Sequence, residues 1–222
     1  MAISPTQEVV FFDIDGTLVD GNLQLSFLAF LHKKGVMSFA QRARTVFHYV
    51  LHLAGFHTHH RAAFEAALSG LRGRSPEYLQ ELVADFLQSE NIPIYAGAME
   101  IIKEHRENGR RVVLLTTIVE TLAQAVAERE GAVAALGTHL EMRDGLYTGH
   151  LSGQPVYGQE KVEAAEAYLH AHNLTWANTW AYGDSASDLL LLEKVAHGFV
   201  VNPSHKMQSR LQQTHCKVVQ FT

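Results

Sequence analysis

Asp13-Ile14-Asp15-Gly16-Thr17 sets two carboxylates one residue apart, where an apolar run stops and a glycine turn begins. If the loop turns, both acids face one side; one can attack phosphorus while the other carries a proton. A tight glycine loop also aims backbone N–H groups at an anion such as phosphate. Downstream, in order, come Thr116, Lys161 at the opening of a helical stretch, and Gly183-Asp184-Ser185-Ala186-Ser187-Asp188. A phosphoryl group held among carboxylates needs compensating positive charge, which a lysine and a divalent cation supply. Asp13 and Asp184 offer hard oxygen ligands, which favour magnesium over zinc or copper. Singly, these are an acidic loop, a strand-end hydroxyl and a solvated lysine; together and in this order they point to phosphate chemistry.

Such residues need a scaffold that brings them to one edge. Val9-Val10-Phe11-Phe12 stops at Asp13 and reads as a buried parallel strand. The pattern recurs in Arg111–Leu115 before Thr116-Thr117, in Thr179–Tyr182 before Gly183-Asp184, and in Gly198–Val201 before Asn202-Pro203. Helical patterns alternate with them: Ala98–Asn108 stopped by Gly109, Glu120–Glu130 stopped by Gly131, and Glu160–His172. The alternation predicts an α/β domain with a doubly wound parallel sheet, in which ligands bind outside the carboxyl ends of the strands. Asp13, Thr116 and Asp184 stand at those ends.

Two segments interrupt the alternation. Residues 21–91 carry no strand pattern and hold helical stretches at Leu23–Lys33, at Phe39–Leu53 and after Ser75-Pro76-Glu77. This predicts a catalytic core of residues 1–20 and 92–222 and a small helical cap, residues 21–91, inserted after the first strand. Leu140–Leu151 reads as a β-hairpin turning at Arg143-Asp144-Gly145, and Lys217–Phe221 as a final strand.

Composition excludes several classes. The chain of 222 residues is 47% hydrophobic and 18% charged, which suits one main core plus an insertion. Its 18 basic and 23 acidic side chains give a formal charge of −5, so the basic footprint of a nucleic-acid binder is missing. A single cysteine, Cys216, allows no internal disulfide and suits a reducing, cytoplasmic compartment. The N-terminal residues show no signal-peptide pattern, and the apolar stretch Val46–Phe56 is broken by His48 and His52 and too short to span a bilayer. The expected partner is a small molecule, without nucleic acid or membrane association. Of the 14 histidines, His48 and His52 have a spacing zinc can use, but no third ligand stands beside them, so they read as surface or lid residues.

The ordered set Asp13-Ile14-Asp15-Gly16-Thr17, Thr116, Lys161 and Gly183-Asp184…Asp188 resembles the haloacid dehalogenase-like phosphatases. A helical segment directly after the first motif resembles their phosphoserine phosphatase-like branch (subfamily IB), and the likeness continues through the hairpin Met142–Gly149. The resemblance implies a Rossmann-like core and a magnesium-dependent phosphomonoesterase. Asp13 would be the nucleophile that becomes an aspartyl-phosphate and a metal ligand. Asp15 would be the general acid and then base, its backbone carbonyl on the metal. Thr116 and Lys161 would bind the transferring phosphoryl group, with Gly16 and Thr117 completing the phosphate site. Asp184 would be the second metal carboxylate; Asp188 would bind a metal-site water or orient Lys161. The same scaffold also serves phosphomutases, and a phospholigand-binding module without catalysis is the non-enzymatic reading; the complete set of acids and the lysine favours the enzyme.

The cap departs from phosphoserine phosphatase itself. Asn22 stands where that enzyme carries a glutamate for the substrate ammonium, and Asp20 and Glu65 are the nearby acids that would substitute for it. Thr117-Ile118 replaces a glycine pair, and Ser187 stands where asparagine is common. Phe27, Phe47 and Tyr49 are candidates for a less polar pocket wall, and equally for the core of the helical segment. Phosphoserine is therefore not the expected best substrate.

Overall fold

The computed structural model describes residues 8–43, 60–211 and 214–222. Six parallel strands form one sheet in the order β3-β2-β1-β6-β7-β8. They are β1 (Val9–Phe12), β2 (Arg111–Val119), β3 (Ala134–Thr138), β6 (Thr179–Gly183), β7 (His197–Val201) and β8 (Lys217–Val219). The expected hairpin is β4 (Leu140–Arg143) and β5 (Leu146–Leu151), turned by Asp144 and Gly145, both at positive φ. This two-residue turn needs left-handed backbone at both positions, which aspartate tolerates and glycine favours.

The alternation along β1 sets the layers. Val10 and Phe12 face a cluster with Ala98 and Ile102 of α4 (Ala96–Glu107) and Leu122 and Val126 of α5 (Glu120–Glu130). Val9 and Phe11 face a second cluster with Val162 and Ala165 of α6 (Gln159–Ala171) and Leu191 of α7 (Leu189–Lys194). Helices on both faces of a parallel sheet make the doubly wound fold. A last helix, α8 (His205–Leu211), connects β7 to β8.

Between β1 and α4 lie only helices among the described residues: α1 (Leu23–Lys33), α2 (His60–Leu68), a 3-10 turn, and α3 (Pro76–Ser89). Ser75 caps α3 by accepting Tyr78 N–H, with Pro76 in the first turn. The chain leaves and rejoins the sheet side by side: Asp20 N–H donates to Pro93 O and Tyr95 N–H to Leu18 O. Most of the helical stretch expected at Phe39–Leu53, with His48, His52, Phe47 and Tyr49, lies outside the described residues. Among them, no helix is long and apolar enough to cross a membrane.

Two strand expectations change. β2 does not end at Leu115 but runs to Val119, with a register shift against β3 between Leu115 and Val119. The bulge holds Thr116 and Thr117 inside the strand while bending it, a device common beside active sites. β3 had no sequence signal: Ala-Ala-Leu-Gly-Thr lacks a β-branched or aromatic residue until its end, and pairing with β2 makes it a strand.

Candidate active site

The carboxyl ends of β1 and β6, the bulged part of β2 and the start of α6 bring Asp13, Asp184, Thr116 and Lys161 to one edge of the sheet. Lys161, only 2% exposed, donates from Nζ to Asp13 Oδ1 at 2.7 Å and to Asp188 Oδ1 at 2.6 Å. Asp188 Oδ2 accepts Ser185 Oγ–H at 2.6 Å and Ser185 N–H at 3.1 Å. Both oxygens of Asp188 are thus engaged, which suits it to orienting Lys161. Ser185 was not singled out in the sequence; one hydroxyl inside an acidic motif carries no pattern of its own.

The loop after β1 is closed by its own backbone. Ile14 O accepts the N–H groups of Thr17, Leu18 and Val19. Gly16, expected to offer its N–H to phosphate, instead donates it to Val19 O and Gly21 O, both at 3.0 Å. Its φ is +75°, and a Cβ there would collide with the carboxylate of Asp184. Glycine is therefore required because it lets the first acidic loop and Asp184 touch. Thr17 is fully buried, and its Oγ1 has no hydrogen-bond partner among the described residues.

Asp15 lies against the start of α1, where its Oδ1 accepts Leu23 N–H at 2.6 Å. Thr116 is buried in the β2 bulge and accepts Ile118 N–H at 3.3 Å. Thr117 turns its hydroxyl to Val156 O at 2.9 Å, and its carbonyl accepts Thr138 Oγ1–H at 2.6 Å. The Thr117 side chain, expected at the phosphate, thus straps β2 to the loop before α6. Thr138 is a further residue without a sequence signal.

The candidates within residues 21–91 have packing roles. Asn22 is the N-cap of α1, its Oδ1 accepting Leu25 N–H at 2.7 Å. Phe27 is 3% exposed and packs on Phe86 and Phe30, with ring centroids 5.2 and 6.3 Å away, so it belongs to the core rather than an open pocket wall. The acids that would replace the missing glutamate are also engaged. Asp20 accepts Tyr95 O–H at 2.8 Å, and Glu65 binds Arg61 Nε at 3.0 Å and accepts Leu151 N–H at 3.1 Å.

Electrostatics make this a cation-seeking pocket. Burial, and then repulsion from Asp13, raises Asp15 to about 7. Burial, then Asp13 and Asp188, raises Asp184 to about 8. Asp13 is raised to about 6 by burial, against the pull of Lys161. Burial would lower the Lys161 ammonium, but Asp13 and Asp188 outweigh it and hold the pKa above the usual range. Asp13, Asp184 and Asp188 offer oxygens within 4.8 Å of one another. Three carboxylates against one ammonium leave negative charge uncompensated, and an oxygen-only donor set fits magnesium.

A pH effect on stability follows. The raised folded-state values mean that, without metal, these carboxyls hold protons the unfolded chain has released. Stability from this source is full below about pH 3.8 and is lost as pH rises through about 7 and 8. His105, pushed down to about 4 by burial and Arg110, acts in the opposite sense but only at lower pH. Between about pH 7 and 9 the Tm of metal-free protein should therefore fall, and magnesium should raise Tm more at the upper end. Thermal scans with and without magnesium check this; a metal-free Tm that climbs across that window contradicts the buried-acid picture.

The family model for haloacid dehalogenase-like hydrolases matches residues 10–193. This chain belongs to that family. It is 30% identical, over 89% of its length and 73% of the relative's, to an inhibition of morphological differentiation protein of Streptomyces azureus. A phosphoserine phosphatase of Mycobacterium tuberculosis is 28% identical over 95% of this chain and 70% of its own length. A histidinol-phosphatase of Neisseria meningitidis is 24% identical over 97% and 99%. Among solved structures, a Bordetella pertussis protein of unknown function superposes with TM-score 0.86 and 25% identity, covering 96% of this chain and 98% of the other. A phosphoserine phosphatase with a phospho-aspartyl intermediate analogue shares the fold at TM-score 0.67 and 19% identity, over 96% and 93%. The haloacid dehalogenase-like hydrolase described here is thus similar, along most of its length, to proteins named as phosphatases.

Proposed function

We propose that this enzyme hydrolyses a small phosphorylated metabolite, with magnesium, through an aspartyl-phosphate on Asp13. The observation that carries the reading is the buried Lys161 bridging Asp13 and Asp188, beside Asp184. An Asp13 carboxylate oxygen attacks phosphorus; the bond to the leaving oxygen breaks, and Asp15 gives that oxygen its proton. Asp15 then takes a proton from water, which attacks the same phosphorus and breaks the Asp13–phosphorus bond, releasing inorganic phosphate. A carboxyl raised to about 7 by burial can serve in both directions near neutral pH. Lys161 and Thr116 would hold the phosphoryl oxygens. Asp13, the Asp15 carbonyl and Asp184 would hold magnesium, whose chemistry there is to draw charge from the phosphoryl group. Residues 21–91 would act as the cap over this core of residues 1–20 and 92–222.

The substrate reading departs from phosphoserine. An ammonium would need a free carboxylate in the cap, whereas Asn22 caps a helix, Glu65 pairs with Arg61 and Asp20 with Tyr95. Phosphoserine should not give the highest kcat/KM in a panel of phosphorylated sugars, alcohols, amino acids and nucleotides; the missing charge-assisted contact is worth about one to two decades. Steady phosphate release from p-nitrophenyl phosphate, lost in EDTA and restored by magnesium, is the direct test of the class and its metal. Full activity in chelator, or restoration by zinc alone, would overturn the metal assignment.

A further inference from the structure

We propose that the cleft on the β7 side of Asp184 receives an acidic group of the substrate, with Arg210 as its charge partner. This rests on the phosphatase reading and names the class of substrate: a phosphate ester whose organic part ends in a carboxylate or a second phosphate.

The cleft has a volume of about 300 Å³ and is bounded by Asp184, Ser185, Asn202, Ser204, Met207 and Arg210. It therefore opens from the acid cluster itself and reaches the lower end of ligand-pocket size. On the cap side, the space lined by Phe27, Leu28, Phe64, Ile118 and Leu122 measures only about 10 Å³ and is apolar. A polar organic group finds room beside Asp184.

Ser204, Met207 and Arg210 recur every three residues along α8 and its cap, so they share the helix face that lines the cleft. Ser204 Oγ accepts Met207 N–H at 3.3 Å, which leaves its own O–H free to donate into the cleft. Arg210 is exposed and has no hydrogen bond or ion pair with any described residue, although the chain carries a net negative charge. Its planar fork of donors suits a carboxylate or a phosphate.

The start of this wall is fixed in advance. Asn202 has φ +42°, and both ends of its amide are tied to Phe221: Oδ1 accepts Phe221 N–H at 2.9 Å and Nδ2 donates to Phe221 O at 3.1 Å. Its N–H donates to Val219 O at 3.0 Å. A left-handed asparagine held at three points sets the direction in which Ser204 and α8 leave the sheet. Beside Asp184 an acidic tail meets a carboxylate, and Arg210 supplies the attraction that makes such a tail tolerable.

The test compares two phosphonate series of graded length, one ending in a carboxylate and one in a methyl group, titrated by calorimetry with magnesium into wild type and Arg210→Ala. At one or more lengths, wild type should prefer the acid-ended ligand by about tenfold to a hundredfold. Arg210→Ala should remove that preference while binding the methyl series within about twofold of wild type. No preference at any length, a preference that survives the substitution, or equal weakening of both series overturns the proposal. So does a result in which Arg210→Ala abolishes only the effect of free malonate or inorganic phosphate, which would mark a site for a separate anion. Hydrolysis of p-nitrophenyl phosphate, measured alongside, separates the two failures. An active wild type with no acid preference sinks this inference alone, whereas an inactive one that binds neither series sinks the phosphatase reading with it.

Discussion

Asp13→Asn should lower kcat by on the order of 10⁴-fold or more while leaving the fold in place. The amide keeps the shape and can still accept the Lys161 ammonium, so the 2.7 Å contact need not be lost. What it lacks is the anionic oxygen that must bond to phosphorus. The stability readout has its own sign. Asp13 is raised to about 6 because burial penalises its charge more than Lys161 rewards it. A neutral amide should therefore leave metal-free protein at least as stable as wild type near pH 8, and it should weaken the stabilisation by magnesium. Phosphate release and thermal scans, with deamidation excluded by mass spectrometry, measure both. Activity within tenfold of wild type would mean that Asp13 is not the nucleophile.

That Asp13 could be chosen from sequence reflects where it sits. An apolar run that must be buried on both faces ends abruptly, and the first acid after it stands at the carboxyl end of a parallel strand. Asp184 is legible for the same reason, and Lys161 and Asp188 from the order in which they follow. What escaped reading is contact between residues distant in the chain. Thr138 meets Thr117 across 21 residues, and one threonine at the end of an alanine-rich strand has no periodicity to reveal it. Gly16 looked like a phosphate cradle, because a glycine after two acids has that use; its contact with Asp184 depends on how β1 and β6 pair. The cap was read least well. Nothing in the sequence separates a substrate contact from a structural one at Asn22 and Phe27, and helix capping and aromatic packing are what those residue types do most often.

The buried ammonium should matter to the fold as much as to the reaction. Lys161→Met keeps the length of the side chain and removes its charge, leaving Asp13 and Asp188 facing each other where Lys161 had bridged them. Breaking a buried pair by deleting one partner costs about 3–5 kcal/mol, because the remaining charge has no compensation. In a chain of this size that is on the order of 10 °C in Tm. The loss should shrink as pH falls, since protonating Asp13 relieves part of the repulsion, and magnesium should recover part of it. Adding Asp188→Asn should restore stability relative to the single variant, as one of the two unpaired charges is gone. It should not restore turnover, which falls by about 10³-fold without the ammonium against the phosphoryl oxygens. Recovery of the fold without recovery of activity separates the two roles of Lys161. A single variant as stable as wild type at pH 8 without metal would show that the Lys161 bridge to Asp13 and Asp188 does not hold the fold.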